Sequence, residues 1–592
     1  MPTFKTPGVY VEETPSLPPK VIEINSSIPA LIGYTQRTSF NEQDLLYQPT
    51  KIKSILEFVS IFGKSAPFNI TGVTANLAET DAKAKVENQY FLYDSLQLYY
   101  LNGGVPCYIV SIGSYFETPT LIDFESGLNA LDYFDDPTIY LFPDAVKLNA
   151  DDLGKLQQLS LNKCAKLGDR FSIFDFHRNT NSSANLNSAA TFREKIGISN
   201  LSYGAAYTPW LKTTLDKDLT ANSIAGIFET INGLDDIILN QNIKGKTVKS
   251  HVKEYQDLLS DINSLQTNVA ISAVYQKFPD EVADFSTGPY ADGSRNPFEN
   301  DEIFNSIIKF VPTSSYFQTF WKDEFLSTIA TYKTNYTGNP TEKEKYLIAL
   351  LNSPSMRRFR NLAEFVSNDL KSTLDSFEKV LFDNIPYYAA LIKILKNKIT
   401  ILPPSGPIAG IYCKTDKEKG IWKAPANISL SAVTGVAQQF STTDLDALNI
   451  DAVAGKSINV IRQITGRGTM AMGARTLAGN NSDWRYIPVR RLLIFIEENS
   501  RRSLAWVVFE PNNQLLWLKV KSQLENYLFE LWRRGALSGS KPEQSYHVNC
   551  GLNSTMTAQD VLDGRLRIDI NLAPIRPAEF IVLKIIQQLQ KS

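Results

Sequence analysis

Near the start of the chain Val9, Val11 and Glu13 alternate with Tyr10 and Glu12, a period of two that predicts a strand. Pro15, Pro18 and Pro19 follow and forbid a helix or a tight return hairpin, so this strand has no obvious local partner. Ser26 to Tyr34 then reads as a buried strand. A helix through Tyr90, Phe91, Leu92, Leu96 and Tyr99 runs to Asn102-Gly103-Gly104, glycines that suit a left-handed helix end. Strand and helix alternate after it: Val105 to Gly113, a helix near Leu128 and Leu131, Thr138 to Asp144, a helix through Leu153, Leu156 and Leu159, and Arg170 to Phe176. That alternation predicts an open α/β sheet.

Farther on, Val252, Tyr255, Leu259, Ile262 and Val269 recur at helical spacing, interrupted at Gln266. Leu362, Phe365, Leu370, Leu374, Phe377 and Leu381 form a second stripe, and Pro386 can open a helix over Tyr387 to Lys396; both stripes suit helices packed along one seam. The stretch from Pro279 to Pro297 is rich in Gly, Pro, Asp and Asn and reads as a loop. In the last third, Pro511, Asn512 and Asn513 supply turn and cap chemistry. Val520, Leu524, Tyr527, Leu528, Leu531 and Trp532 then make one helix face, with Arg533 and Arg534 in its last turn and Gly535 to end it. Arg565 to Leu572 alternates as a strand, with Leu566, Ile568, Ile570 and Leu572 on one face. Beyond Pro574 and Pro577, Phe580 to Ile586 is apolar on both faces save Lys584. A terminal strand of that kind needs edges to pair with.

At 592 residues, 43% hydrophobic and 21% charged, the chain is long enough for several domains. A formal net charge of −2 gives no global attraction to nucleic acid or to an anionic membrane. No apolar run approaches the ~20 residues of a spanning helix, and the N-terminus lacks the apolar centre of a secretory signal; assembly in the cytoplasm without membrane insertion is expected. Cys107, Cys164, Cys413 and Cys550 form no CxxC pair, which predicts buried thiols rather than zinc ligands or a disulfide framework.

Chemical signals are weak. Gly455-Lys456-Ser457 and Gly245-Lys246-Thr247 lack the upstream glycine of a phosphate loop, where Ile450 and Asn240 stand. Gly466-Arg467-Gly468 and Gly473 miss dinucleotide-binding spacing and suit a tight turn. His177, His251 and His547 have no partner at ligand spacing, and Ser405-Gly406 lacks the frame of a nucleophile elbow. No catalytic, cofactor-binding or metal-ligating residue is assigned. The run Asp416-Lys417-Glu418-Lys419 reads as a solvated turn or, equally, a salt-bridged contact between subunits. Arg490, Arg491, Arg501 and Arg502, interspersed with Glu497 and Glu498, read as a helix face suited to protein partners rather than nucleic acid.

A resemblance organises these signals. Pro403 to Asn427, RGTMAMGARTL (Arg467 to Leu477), WRYIPVRRLLIFIEENS (Trp484 to Ser500), WVVFEPNNQLLWLKVK (Trp506 to Lys521), LWRRGALSG (Leu531 to Gly539) and NLAPIRPAEFIVLKI (Asn571 to Ile585) closely resemble the C-terminal domain of contractile tail sheath proteins. Such proteins occur in contractile phages, R-type pyocins and phage-like extracellular injection systems. TPGVYVEE (Thr6 to Glu13), the helix-Asn-Gly-Gly-strand unit and YGAAYTPWL (Tyr203 to Leu211) are similar to the same family. In the usual sheath pattern the PWL element is soon followed by PPSG; here Lys212 to Thr400 intervenes, which reads as an insertion.

The resemblance implies a multidomain α/β (α+β) subunit: an N-terminal arm and linker (1–25), an α/β domain (26–211), a helix-rich surface insertion (212–400), a C-terminal α/β sheath domain (401–579) and a C-terminal arm (580–592). It implies a structural role without an enzyme's chemistry: a homopolymer of sheath subunits around an inner tube protein, bounded by baseplate and terminator or cap proteins, contracting to drive the tube through a target membrane. The particle would assemble in the cytoplasm and then be released or form part of a virion. It also implies that Val9, Tyr10, Val11 and Glu12, and Phe580, Ile581, Val582, Leu583, Lys584 and Ile585, are intersubunit arms that augment the sheets of neighbouring copies. The residues alone leave open that both strands complete their own subunit's sheet. Two other readings stand beside the main one. A component of an intracellular type VI-like sheath is one, although such sheaths commonly divide these parts between two proteins; an oligomeric α/β enzyme is the other.

Overall fold

The computed structural model describes residues 23–40, 43–66, 69–75, 82–87, 90–115, 117–178, 186–216 and 400–580, with Val21 and scattered residues between 240 and 399. The chain divides into two compact units. One takes in Met1–Ala66, Tyr90–Leu215 and Thr400–Ser592, and the other Pro67–Gln89 and Asp216–Ile399. In the second unit Asn69–Ala75 pairs antiparallel with Ala82–Glu87, and Asn242–Ile243 with Lys246–Thr247. The stripe residues from Val252 to Val269 and from Leu362 to Leu381 and the loop from 279 to 297 lie outside the described residues, and of the helix expected over Tyr387 to Lys396 only Ile392, Lys393, Leu395 and Lys396 are described, all helical.

The first unit is built on nine strands. In chain order they are Pro29–Thr35 (β1), Thr50–Ile52 (β2), Cys107–Ser114 (β3), Ile139–Leu141 (β4), Phe171–Phe174 (β5), Gly204–Thr208 (β6), Ile428–Ser429 (β7), Asn459–Ile464 (β8) and Gly468–Ala471 (β9). Their order across the sheet is β7-β9-β8-β6-β5-β4-β1-β3-β2. The run from β8 to β3 is parallel, while β2 and the β9–β7 edge are antiparallel. Strands on either side of 216–399 thus share one sheet, joined where Tyr207 and Thr208 pair with Asn459 and Val460. Leu211–Thr213 lies between Ile401–Leu402 and Val433–Val436 in a small second sheet, so the chain leaves and re-enters this unit at neighbouring strands.

A parallel sheet must be covered on both faces, and alternate side chains of β1 divide between two cores. Ala30, Ile32 and Tyr34 pack with Phe124 and Leu128 of Leu121–Ala130 and with Leu153, Leu156 and Cys164 of Ala150–Leu167. Leu31 packs on the other face with Leu92, Leu96 and Tyr99 of α1 (Leu92–Leu101) and Ile408, Ile411 and Tyr412 of α2 (Ser405–Lys419). The expected stripe is correct at Leu153 and Leu156, but Leu159 is 40% exposed, because Ser160, Leu161 and Cys164 continue the inward face.

The α1–α2 contact explains the glycines of PPSGPIAG. A Cβ on Gly406 would come within 2.3 Å of the Ser95 carbonyl oxygen, and one on Gly410 within 2.5 Å of that of Tyr99. These obstacles are backbone, so only glycine permits the approach. Helix α1 has no side-chain cap of its own. The buried Asp144 carboxylate serves instead, accepting from the backbone N–H groups of Tyr34 (2.8 Å), Leu92 (3.1 Å) and Phe91. Burial pushes this carboxyl up to about 6, against the pull of those N–H bonds.

A separate third core belongs to the C-terminal stretch. Helices α3 (Ile487–Ser503) and α4 (Gln514–Arg533) and the antiparallel pair β10 (Tyr546–Asn549) and β11 (Asp569–Leu572) enclose Leu492, Phe495, Ile496, Val520, Leu524, Leu528, Leu531 and Val548. The Asn513 side chain caps α4 by accepting from Leu516 N–H at 3.1 Å, and Gly535 takes φ 83° just beyond its end, as the sequence predicts. The strand expected over Arg565 to Leu572 forms only from Asp569. Its first half is drawn elsewhere: Arg567 and Arg565 reach Asp560 at 3.1 and 3.8 Å, and the Thr555 hydroxyl occupies the Arg567 carbonyl at 2.7 Å.

Two expectations of exposed charge are corrected. Asp416 is not in a solvated turn but faces Arg491 in a buried ion pair at 2.6 Å. Arg490 is not on a partner-facing surface; it is 5% exposed, stacked over Tyr203 and Trp484 at 3.8 and 4.6 Å. Arg501 and Arg502 stay nearer the surface and pair with the buried Glu498. Three of the thiols are buried and Cys550 is half-buried. Lys456 of the GKS sequence is buried and donates to the Arg193 carbonyl, which makes that loop structural. His177 lies 2.8 Å from the Leu148 carbonyl, and His547 sits exposed on β10; His251 lies outside the described residues. Gly466 and Gly468, with φ 76° and 80°, form the β8–β9 turn.

Candidate subunit-linking surface

The C-terminal module carries a two-stranded sheet, β10–β11. Its register pairs Tyr546 with Leu572 and Asn549 with Asp569, and among the described residues neither strand joins a third. Ile570 and Leu572 turn towards the module core while Asp569 and Asn571 are exposed. Just past β11, Ser538 N–H donates to the Ala573 carbonyl and Ile575 N–H to that of Ala536; among the described residues the outer edges of β10 and β11 themselves pair with no further strand, and a lone two-stranded ribbon is marginal in water.

Both chain ends are tied down shortly before they leave the described residues. On the N-terminal side Glu23 pairs with Arg534 at 2.7 Å, and Ile24 N–H donates to Asn499 Oδ1 at 2.8 Å. Asn499 in turn donates to the Tyr527 hydroxyl at 3.0 Å. Val21 and Ile24 pack on the same core as α3 and α4. Ser26 and Ser27 both donate to Asp416 Oδ2, and Arg491 bridges both oxygens of that carboxylate, Nη1 to Oδ1 at 3.0 Å and Nη2 to Oδ2 at 2.6 Å. The N-terminal segment thus emerges at the end of α4.

On the C-terminal side the clamp is Glu579. Its two oxygens receive Arg475 Nε and Nη2 at 2.7 Å each, and Asn449 Nδ2 and the Tyr486 hydroxyl add bonds at 3.1 Å. The Arg475 side chain is 4% exposed, and its backbone is fixed by a reciprocal pair with the Asn459 side chain. Burial raises the Glu579 carboxyl, but the bonds from Arg475, Asn449 and Tyr486 outweigh it and hold the group below its ordinary value.

Of the residues expected in the arms, Phe580 is described and is 68% exposed, immediately beyond the Glu579 clamp. Val9, Tyr10, Val11, Glu12, Ile581, Val582, Leu583, Lys584 and Ile585 lie outside the described residues. The anchoring residues were not legible beforehand. Glu579 stands out only as the single acid between Pro577 and an apolar run, and nothing near it in sequence points to Arg475, Tyr486 or Asn449. Among the described residues no group of three or more His, Cys, Asp or Glu is placed to hold a metal ion, and no helix is long and apolar enough to cross a membrane.

The chain resembles known proteins both in part of its sequence and in its fold. Residues 479–588 match the family described as the phage tail sheath C-terminal domain, the stretch that carries α3, α4, β10 and β11. The chain is 25% identical over 186 residues to the tail sheath protein of Vibrio phage KVP40, and 24% identical over 177 residues to a prophage major tail sheath protein of Pseudomonas aeruginosa (strain UCBPP-PA14). These matches cover 31% and 30% of this chain and 26% and 44% of the relatives, less than half of either relative's length. Similarity to solved structures is chain-wide. The anti-feeding prophage helical sheath in the contracted state superposes with TM-score 0.52 at 21% identity, covering 99% of this chain and 100% of that one. The PVC sheath complex of an extracellular contractile injection system, also contracted, gives 0.52 at 19% identity, covering 100% and 99%. A chain of the anti-feeding prophage baseplate in the contracted state gives 0.54 at 19% identity with complete coverage of both. The fold is that of the multidomain contractile tail sheath proteins, and the chain resembles that family from its N-terminal α/β sheet to its C-terminal module.

Proposed function

We propose that this chain is the structural subunit of a contractile sheath, polymerising around an inner tube and shortening to drive that tube through a target membrane. The observation that carries the reading is the open-edged β10–β11 sheet, in a module to which the N-terminal root is tied and within the stretch that matches the sheath C-terminal family. An extended segment satisfies its backbone by adding to such an edge, and side chains alternating in and out select the register. Val9 to Glu12 and Phe580 to Ile585 have the strand pattern for this addition, and prolines lie between each and the nearest strand of the body.

Linked in this way, copies stay connected while their mutual angle changes. The stroke then draws on intersubunit contacts that improve in the shortened lattice, so the subunit itself needs no bound cofactor. Tube, baseplate and cap proteins are the partners this role requires, with assembly inside the producing cell. The phage-like reading is preferred over a type VI-like sheath because one chain carries both the N-terminal α/β sheet and the C-terminal module. Electron microscopy of the purified full chain tests the proposal. Hollow striated cylinders are expected; a preparation that stays monomeric at every concentration and salt would refute it.

A further inference from the structure

Between α3 and α4 the chain presents an apolar knob. Phe509 is fully exposed at 103% and its neighbour Val508 is 66% exposed, while Phe509 holds the left-handed backbone at φ 70°. An aromatic residue resists that conformation, which persists only where its surroundings impose it. They do so here: Trp506 Nε1 donates to Gln523 Oε1 at 3.0 Å, Gln523 Nε2 to the Ser503 carbonyl at 3.1 Å, and Trp517 Nε1 to Asn512 Oδ1 at 2.7 Å. The loop is braced on both sides, and what it projects is a bare phenyl ring followed by the exposed Glu510.

At the other end of α4 lies a cleft of about 490 Å³ walled by Ile421, Trp422 and Phe495 and rimmed by Lys417 and Arg534. Arg534 stacks on Trp422 at 5.1 Å. Lys417 is exposed and has no ion-pair partner among the described residues. Helix α4 has 20 residues, so knob and cleft are about 30 Å apart along it and cannot meet within one copy.

We propose that the Phe509 knob of one copy seats in the Trp422 cleft of a second copy, with Glu510 meeting Lys417 at the rim. The occupant is chosen by complementarity of polarity and charge, apolar tip to a cleft with apolar walls and acid to a cation with no ion-pair partner among the described residues. Because knob and cleft occupy opposite ends of one helix, the contact is head-to-tail and repeats without closing, the geometry of a filament. Residues Glu23 to Ile28 form another side of the same cleft, so seating the knob also buttresses the root of the N-terminal segment. The inference rests on the homopolymer reading above and adds to it a contact between side chains, distinct from strand addition.

Two experiments on the full chain test it. First, p-benzoylphenylalanine at position 509 is irradiated in mixed isotope-labelled and unlabelled protein under assembly conditions; cross-links between copies onto the 417–423 peptide are expected, and cross-links only elsewhere overturn the proposal. Second, Phe509→Gly relieves the backbone and leaves the melting temperature unchanged or higher, yet should cut the assembled fraction at least tenfold. Lys417→Glu and Glu510→Lys should each weaken assembly, and the double exchange should restore it. Assembly of Phe509→Gly at the parental level overturns the knob contact alone, whereas a parent chain that never assembles overturns the homopolymer reading and this inference with it.

Discussion

Arg475 and Glu579, 104 residues apart, meet in a two-pronged ion pair with both N···O distances at 2.7 Å. Their meeting ties the chain to the body one residue before the proposed C-terminal arm. Pro574 and Pro577 precede the clamp, and Phe580, just past it, is already exposed. The hinge of the proposed arm is therefore expected after Glu579 rather than at the prolines.

The clamp should be visible in the pH dependence of stability. A carboxyl held below its unfolded value of about 4.5 contributes stability that is complete above that pH and is lost as pH falls through the folded value. Glu579→Gln should cost about 1–3 kcal/mol near neutrality, as expected for charged hydrogen bonds to a buried guanidinium. Thermal unfolding of parent and variant should show that difference at pH 6 and its progressive loss as pH falls below 4.5. A gap that persists into acid would show that packing, not the ion pair, holds the segment.

Asp416 and Arg491 carry the equivalent load for the N-terminal root, and both are nearly inaccessible, with side chains 5% and 4% exposed. Removing one partner leaves a buried charge, so Asp416→Ala should destabilise by about 3–5 kcal/mol. The double change Asp416→Leu with Arg491→Met should cost clearly less than either single change. Chemical denaturation of the three variants checks this, and additive losses would contradict it.

Much of this was legible in sequence because it depends on local rules. Apolar runs alternating with helical stripes marked β1, β3, β4 and β5, Asn513 and Gly535 marked the ends of α4, and the missing upstream glycine ruled Lys456 out of a phosphate loop. What could not be read depends on partners distant in sequence. Arg490 and Arg491 look like surface charge until Tyr203, Trp484 and Asp416 close over them. The strand over Arg565 to Ile568 fails because Asp560 and Thr555 compete for it. No pattern in residues 26–211 predicts that β6 hydrogen-bonds to β8, some 250 residues later.

The same topology leads to the expectation that the segment between Leu215 and Thr400 can be replaced. Thr213 N–H donates to the Thr400 carbonyl at 3.0 Å, so the two cut ends are already adjacent and a short flexible linker closes a small loop at little entropic cost. A chain with residues 216–399 so replaced should keep the first unit folded, as read by circular dichroism and melting, and should still form cylinders. A folded but non-assembling product would assign lattice contacts to the removed segment.

Truncation at Glu579 tests the central claim most directly. Deleting residues 580–592 leaves the Arg475 clamp intact, so the shortened chain should stay soluble with a melting temperature close to that of the parent, and micrographs should show no cylinders under conditions where the full chain forms them. If the truncated chain unfolds instead, the last strand belongs to its own subunit's core; if it assembles as well as the parent, the C-terminal arm does not link subunits.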